Sequence, residues 1–128
     1  KQILIEPMLD DRNTTSAEES FATWTYDDNL AGWTALLGDR VGKDDVSAYA
    51  SPSRATDLTH LPPTYIDIGG LDIFRKEAIR YAADLLSAGA EVEFHLYPGG
   101  PHAFIFLRPE ARVATRAREN RLNSIRVV

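Results

Sequence analysis

Three short segments with strand character alternate with three helical patterns, and this alternation restricts the fold more than any other feature of the chain. The strand segments are residues 1–7, 64–68 and 91–97, and the helical patterns cover residues 27–37, 73–88 and 109–125. The first strand is a continuous apolar run closed by Pro7, which is typical of a strand covered on both faces. The order of the elements therefore predicts an α/β fold with an open, mostly parallel sheet and flanking helices.

The helical patterns carry signals for their ends and their buried faces. Asp27 is the expected N-cap of the first helix, whose Leu30, Trp33 and Leu36 recur at helical spacing and should pack on the sheet. Gly89 stands where a left-handed end of the second helix is expected. Pro109 is expected to open the third helix.

The remaining segments predict two connections and one half-exposed strand. Residues 10–25 and 39–63 show no strict period, so we expect irregular connections there. In the third strand, apolar residues alternate with Glu93 and His95. This alternation predicts an edge or near-edge strand with His95 facing solvent.

Composition excludes several classes of function. The 128 residues suffice for one domain, 1–128, and contain 0 Cys, so thiol nucleophiles and thiolate metal sites are excluded. No run approaches the ~18 apolar residues that a membrane span needs. The net charge of −5 argues against nucleic acid, and the arginines of residues 108–126 are expected on a solvated helix face. The compartment stays open, with the cytoplasm favoured.

Two glycine-rich turns follow the second and third strands, where functional groups collect in folds of this kind. Asp72 follows Gly69-Gly70, and His102 follows Gly99-Gly100-Pro101. In a parallel sheet the two side chains reach the same edge, and the carboxylate can accept the imidazole Nδ1 proton, as in a hydrolytic triad. Two structural alternatives remain open: Asp72 as a helix N-cap and His102 as an ordinary loop residue. The chain's histidines lack metal-ligand spacing, so no metal is expected.

The same turns carry a resemblance to a known family. Residues 65–77, YIDIGGLDIFRKE, and 94–104, FHLYPGGPHAF, resemble the acid-bearing and histidine-bearing segments of the α/β-hydrolase superfamily, in particular its hormone-sensitive-lipase-like carboxylesterases. Residues 3–12, ILIEPMLDDR, are similar to the strand and loop that precede them in that family. The resemblance covers nearly the whole chain and implies the carboxyl-terminal half of an α/β-hydrolase fold.

The resemblance implies a carboxylic ester hydrolase for short acyl esters, a small-molecule substrate and no cofactor. Asp72 would be the triad acid and His102 the general base, with Leu71, Ile73 and Phe104 near the acyl or alcohol pocket. The family's Gly-X-Ser-X-Gly nucleophile motif and its His-Gly-Gly oxyanion motif are absent. The chain alone is therefore expected to be inactive unless an N-terminal half carrying the nucleophilic serine is present.

Two further departures from the family pattern concern single residues. Ala103 stands where the family usually has glycine, and Glu6 replaces an aromatic or aliphatic residue. The alternative function is a non-catalytic, hydrolase-like binding or oligomerisation module. It would self-associate through the open sheet edge at residues 1–7.

Overall fold

A parallel three-stranded sheet forms the centre of the chain. The computed structural model describes residues 1–15 and 23–126. The strands are β1 (Gln2–Ile5), β2 (Thr64–Gly69) and β3 (Val92–Tyr97), in the order β1-β2-β3 with both pairs parallel. The helices are α1 (Tyr26–Leu37), α2 (Arg75–Ser87), the short α3 (Phe104–Leu107) and α4 (Arg112–Arg126). The predicted α/β architecture with a parallel sheet is confirmed.

The first helix begins and packs differently from the sequence prediction. Its N-cap is Thr25 rather than Asp27: the Thr25 hydroxyl accepts from the Asp28 amide, and the Asp28 carboxylate accepts from the Thr25 amide. Of the predicted stripe, Trp33 is buried, but Leu30 is 41% and Leu36 64% exposed, so the predicted packing is wrong at these leucines. The buried positions are Asn29 and Trp33, one helical turn apart. The Asn29 amide group donates to the Asn13 carbonyl of the preceding loop.

The second helix follows the prediction and supplies the main core. It buries Ala78, Tyr81, Ala82 and Leu85 against β2 and β3, and Gly89 after it adopts a φ of 86°, as expected for a left-handed end. Of the predicted connections, 39–63 holds only two short 3₁₀ turns, Gly38–Arg40 and Pro52–Arg54. Residues 16–22 of the first connection lie outside the described residues. No described helix is long and apolar enough to cross a membrane.

The third strand and the last helix require two corrections. His95 faces solvent only in part: its side chain is 28% exposed, its ring stacks on Tyr97 with 5.9 Å between centroids, and it lies 3.3 Å from the Asn120 amide of α4. The reason is that α4 covers this face of β3. The last helix begins at Arg112 rather than at Pro109, because residues 109–110 form a turn in which the Ala111 amide donates to the Arg108 carbonyl at 3.0 Å.

Candidate active site

The turns after β2 and β3 are joined to each other by backbone hydrogen bonds. The Gly70 amide donates to the Tyr97 carbonyl at 2.7 Å, and the Leu71 amide donates to the Gly100 carbonyl at 2.9 Å. A Cβ on Gly69 would lie 2.2 Å from the Gly100 oxygen. Only glycine permits this approach, so the paired glycines hold the two turns at a fixed separation.

This fixed separation places Asp72 against His102. Oδ2 of Asp72 lies 2.8 Å from Nδ1 of His102, and the aspartate side chain is fully buried. Oδ1 of Asp72 accepts a hydrogen bond from the Phe74 amide at 2.9 Å. The carboxylate therefore bonds to the turn before α2 with one oxygen and to the imidazole with the other. It is not the N-cap of α2, which is Phe74.

Aromatic rings and carboxylates surround the imidazole of His102. The rings of Trp24 and Phe74 each lie 5.5 Å from it, and its side chain is 22% exposed. Burial opposes the charged form, but the hydrogen bond and charge of Asp72, together with the charge of Glu6, outweigh it and raise the pKa of His102 above its ordinary value. With the Nδ1 proton directed at Asp72, Nε2 carries the free electron pair that accepts a proton.

A buried ion-pair network beneath the histidine turn was not predicted from the sequence. Arg121 of α4 donates from Nε to Oδ2 of Asp67 at 2.6 Å and from Nη2 to Oδ1 at 2.9 Å. Its Nη2 also lies 3.4 Å from Oε1 of Glu6. The expected solvated face of α4 is therefore wrong at Arg121. The sequence did contain a signal for this ion pair. Asp67 interrupts an apolar strand, and a buried carboxylate requires a partner of opposite charge.

Ala103, the residue after His102, adopts a left-handed conformation with a φ of 59°. Its amide is held by the Glu6 carboxylate at 2.8 Å. A left-handed alanine costs about 1–2 kcal/mol relative to the right-handed conformation, whereas glycine adopts it freely. Alanine at position 103, where the family usually has glycine, therefore leaves backbone strain in the turn that carries His102.

We expect Ala103→Gly to raise the free energy of unfolding of the intact protein by about 0.5–1 kcal/mol, because the relief of strain exceeds the added flexibility of the unfolded chain. Urea unfolding measures the change. The matched control is Ala83→Gly at an exposed position of α2, which should lose about 1 kcal/mol. A loss of similar size at position 103 would contradict the strain argument.

The three residues expected at a substrate pocket lie in different environments. Leu71 is 39% exposed beside the acid turn. Ile73 is buried in the core formed with α2, and Phe104 is buried with Tyr97 and the small residues of α4. Their contact with an acyl or alcohol group stays a prediction.

The described residues contain one cluster with metal-ligand atoms, Glu6, Asp72 and His102, whose ligand atoms lie within 4.8 Å of one another. Two ligands of a tetrahedral zinc ion at about 2.1 Å lie roughly 3.4 Å apart. The 2.8 Å separation of Asp72 and His102 matches a hydrogen bond instead. The arrangement suits a carboxylate–imidazole pair that moves a proton.

Comparison with known proteins shows the family of this chain. The profile of a family described as alpha/beta hydrolase fold matches residues 1–106. Esterase LipI of Mycobacterium tuberculosis is 37% identical over 99 residues, which cover 77% of this chain and 31% of that protein. The chain thus spans about a third of the length of this curated relative.

Solved structures of esterases match the fold closely. A bacterial heroin esterase superposes with a TM-score of 0.88 and 42% identity over 98% of this chain and 41% of that chain. Esterase LipW from Mycobacterium marinum gives a TM-score of 0.77 and 34% identity over 91% of this chain and 36% of that chain. The resemblance to the hormone-sensitive-lipase-like esterases is confirmed.

Proposed function

Because this chain belongs to the alpha/beta hydrolase fold family, we propose that it supplies the acid and the base of a Ser-His-Asp triad that hydrolyses carboxylic esters of short acyl chains. Asp72 is the acid and His102 the base. The observation that carries this proposal is the 2.8 Å hydrogen bond between them, at the carboxyl ends of adjacent parallel strands. The similarity to proteins named as esterases supports the ester as the substrate class.

The proposed reaction is acyl transfer through two proton movements at His102. A serine oxygen attacks the ester carbonyl while Nε2 of His102 takes the serine proton, and the imidazolium returns it to the leaving alcohol. Water then attacks the acyl-serine, gives its proton to Nε2 and releases the acid as the serine recovers its proton. The buried Asp72 stabilises the imidazolium in both steps.

The nucleophile belongs to a polypeptide segment beyond these 128 residues in this proposal. The sequence contains no Gly-X-Ser-X-Gly motif. Within residues 1–15 and 23–126, the hydrogen bond of the His102 ring is to Asp72, and no serine hydroxyl is bonded to it. The chain therefore provides the acid and base turns, and it needs the remaining part of the fold for turnover.

A fluorophosphonate probe, which labels activated serines, tests this proposal by intact-mass spectrometry. We expect the intact protein to gain one probe adduct on the segment that carries the serine, and the heat-denatured sample to gain none. An unlabelled intact protein would contradict the esterase proposal.

The unlabelled outcome would favour a non-catalytic module that assembles through its sheet edge. Among the described residues, β1 pairs with β2 alone, which leaves its outer edge open and Ile5 exposed. An open edge recruits other strands. Sedimentation of the unlabelled protein as a stable dimer would then support the module.

A further inference from the structure

Glu6 lies at the end of β1, and its carboxylate reaches across the end of β2 to the histidine turn. Oε2 accepts the hydrogen bond from the Ala103 amide at 2.8 Å. One carboxylate oxygen of Glu6, one of Asp72 and a ring nitrogen of His102 lie within 4.8 Å of one another. Glu6 therefore bonds to the backbone beside His102 and brings a second carboxylate near the imidazole.

The backbone around this contact is strained on both sides. Glu6 has a φ of 46°, and its hydrogen-bond partner Ala103 has a φ of 59°. Non-glycine residues persist in this region only where the surroundings over-determine them, and such residues cluster at functional sites. Here the surroundings are the ion pair with Arg121 and the bond from the Glu6 amide to the Asp67 carbonyl at 2.8 Å.

We infer that Glu6 is a positioning residue for His102, an inference that rests on the proposed function. The Glu6 carboxylate is anchored by Arg121 and fixes the Ala103 amide. This contact holds the imidazole of His102 against Asp72. The contact joins the end of β1 to the turn after β3. A displacement of the general base by about 1 Å can cost about 10²-fold in rate, so this contact matters to turnover.

Glu6 also acts on the imidazole through its charge. The groups that face this cluster are Asp72 from the acid turn, Asp67 from β2 and Arg121 from α4. Burial raises the pKa of Glu6, while the Ala103 amide and Arg121 oppose that rise. In its ionised form Glu6 contributes to the raised pKa of His102. Removing this charge lowers the pKa of His102, so the neutral base persists to lower pH.

Two substitutions separate the charge of Glu6 from its hydrogen bond. Glu6→Gln keeps an oxygen that accepts from the Ala103 amide but removes the charge, whereas Glu6→Ala removes both. We expect the acid limb of the pH profile of kcat/KM to move to lower pH in both variants. We expect kcat/KM on the plateau to fall on the order of 10- to 10²-fold in Glu6→Ala and less in Glu6→Gln. Glu119→Gln, an exposed charge removal on α4, is the matched control.

Titration of the His102 ring by nuclear magnetic resonance gives a readout that does not depend on turnover. A pKa of His102 that is lower in Glu6→Gln than in the parent and in Glu119→Gln, and lower still in Glu6→Ala, supports the inference, because loss of the Ala103 contact also weakens the bond of His102 to Asp72. Equal pKa values of His102 in Glu6→Ala and Glu6→Gln overturn it. A purely structural role of Glu6 would lower stability without moving the acid limb. If the parent protein does not hydrolyse esters, the proposed function is wrong. The ring titration still tests whether Glu6 positions His102.

Discussion

Replacement of His102 by alanine should reduce kcat/KM of the intact enzyme for short-chain esters by on the order of 10⁴- to 10⁶-fold. Without Nε2 no group takes the serine proton, and the remaining rate comes from substrate binding and from the donors that stabilise the oxyanion. Steady-state hydrolysis of a short-chain nitrophenyl ester measures the loss. Affinity for a non-hydrolysable ester analogue should be largely kept.

The companion substitution is Asp72→Asn, for which we expect a fall in kcat of about 10⁴-fold. The amide group donates where the carboxylate accepted, so the 2.8 Å contact then selects the tautomer with its proton on Nε2. The control is His60→Asn, at an exposed left-handed position that asparagine tolerates. Turnover that survives in His102→Ala at the level of this control would remove His102 from the mechanism.

Replacement of Arg121 by methionine is expected to lower the free energy of unfolding by about 3–5 kcal/mol, the largest stability effect of a single substitution that we predict. Arg121 makes two hydrogen bonds to Asp67, whose side chain is fully buried. Without the guanidinium, the Asp67 carboxylate keeps only the Tyr65 hydroxyl as a hydrogen-bonding side-chain partner among the described residues. Guanidinium unfolding of the intact protein at neutral pH measures the loss.

The exposed Arg112 at the start of α4 provides the matched control for this loss. Arg112→Met should change the free energy of unfolding by less than about 0.5 kcal/mol. The double variant Arg121→Met with Asp67→Asn should recover part of the loss, because position 67 no longer carries an unpaired buried charge, although Glu6 still lacks its ion-pair partner. A change of less than about 1 kcal/mol in Arg121→Met would show that the buried pair contributes little beyond packing.

The contact between Asp72 and His102 could be predicted because each residue closely follows a recognisable strand. Strand character, glycine turns and chain order are local properties, and parallel pairing then brings Asp72 and His102 to one sheet edge. The prediction of α2 and its left-handed end at Gly89 succeeded for the same reason. For these predictions, sequence patterns within one strand, one helix or one turn were sufficient.

The errors lie where a distant segment determines the environment. His95 is at a position that alternation assigns to solvent, yet α4 covers part of its side chain. The buried side of α1 contains Trp33 and Asn29, which bonds to the preceding loop, whereas the leucines predicted to be buried with Trp33 are exposed. A helical period gives the spacing of a face but not the partner that buries it.

The sequence by itself determined the α/β class, the parallel order of the strands and the two turns that carry Asp72 and His102, because hydrophobic period and turn residues are encoded locally. Only the tertiary structure decided the surroundings of that pair. Asp67 lies in β2, Arg121 in α4 and Glu6 directly after β1; they are as much as 115 residues apart and meet beneath the histidine turn. The physical reason is that a buried charge takes whichever opposite charge the packed elements bring within reach, and sequence spacing does not specify that partner.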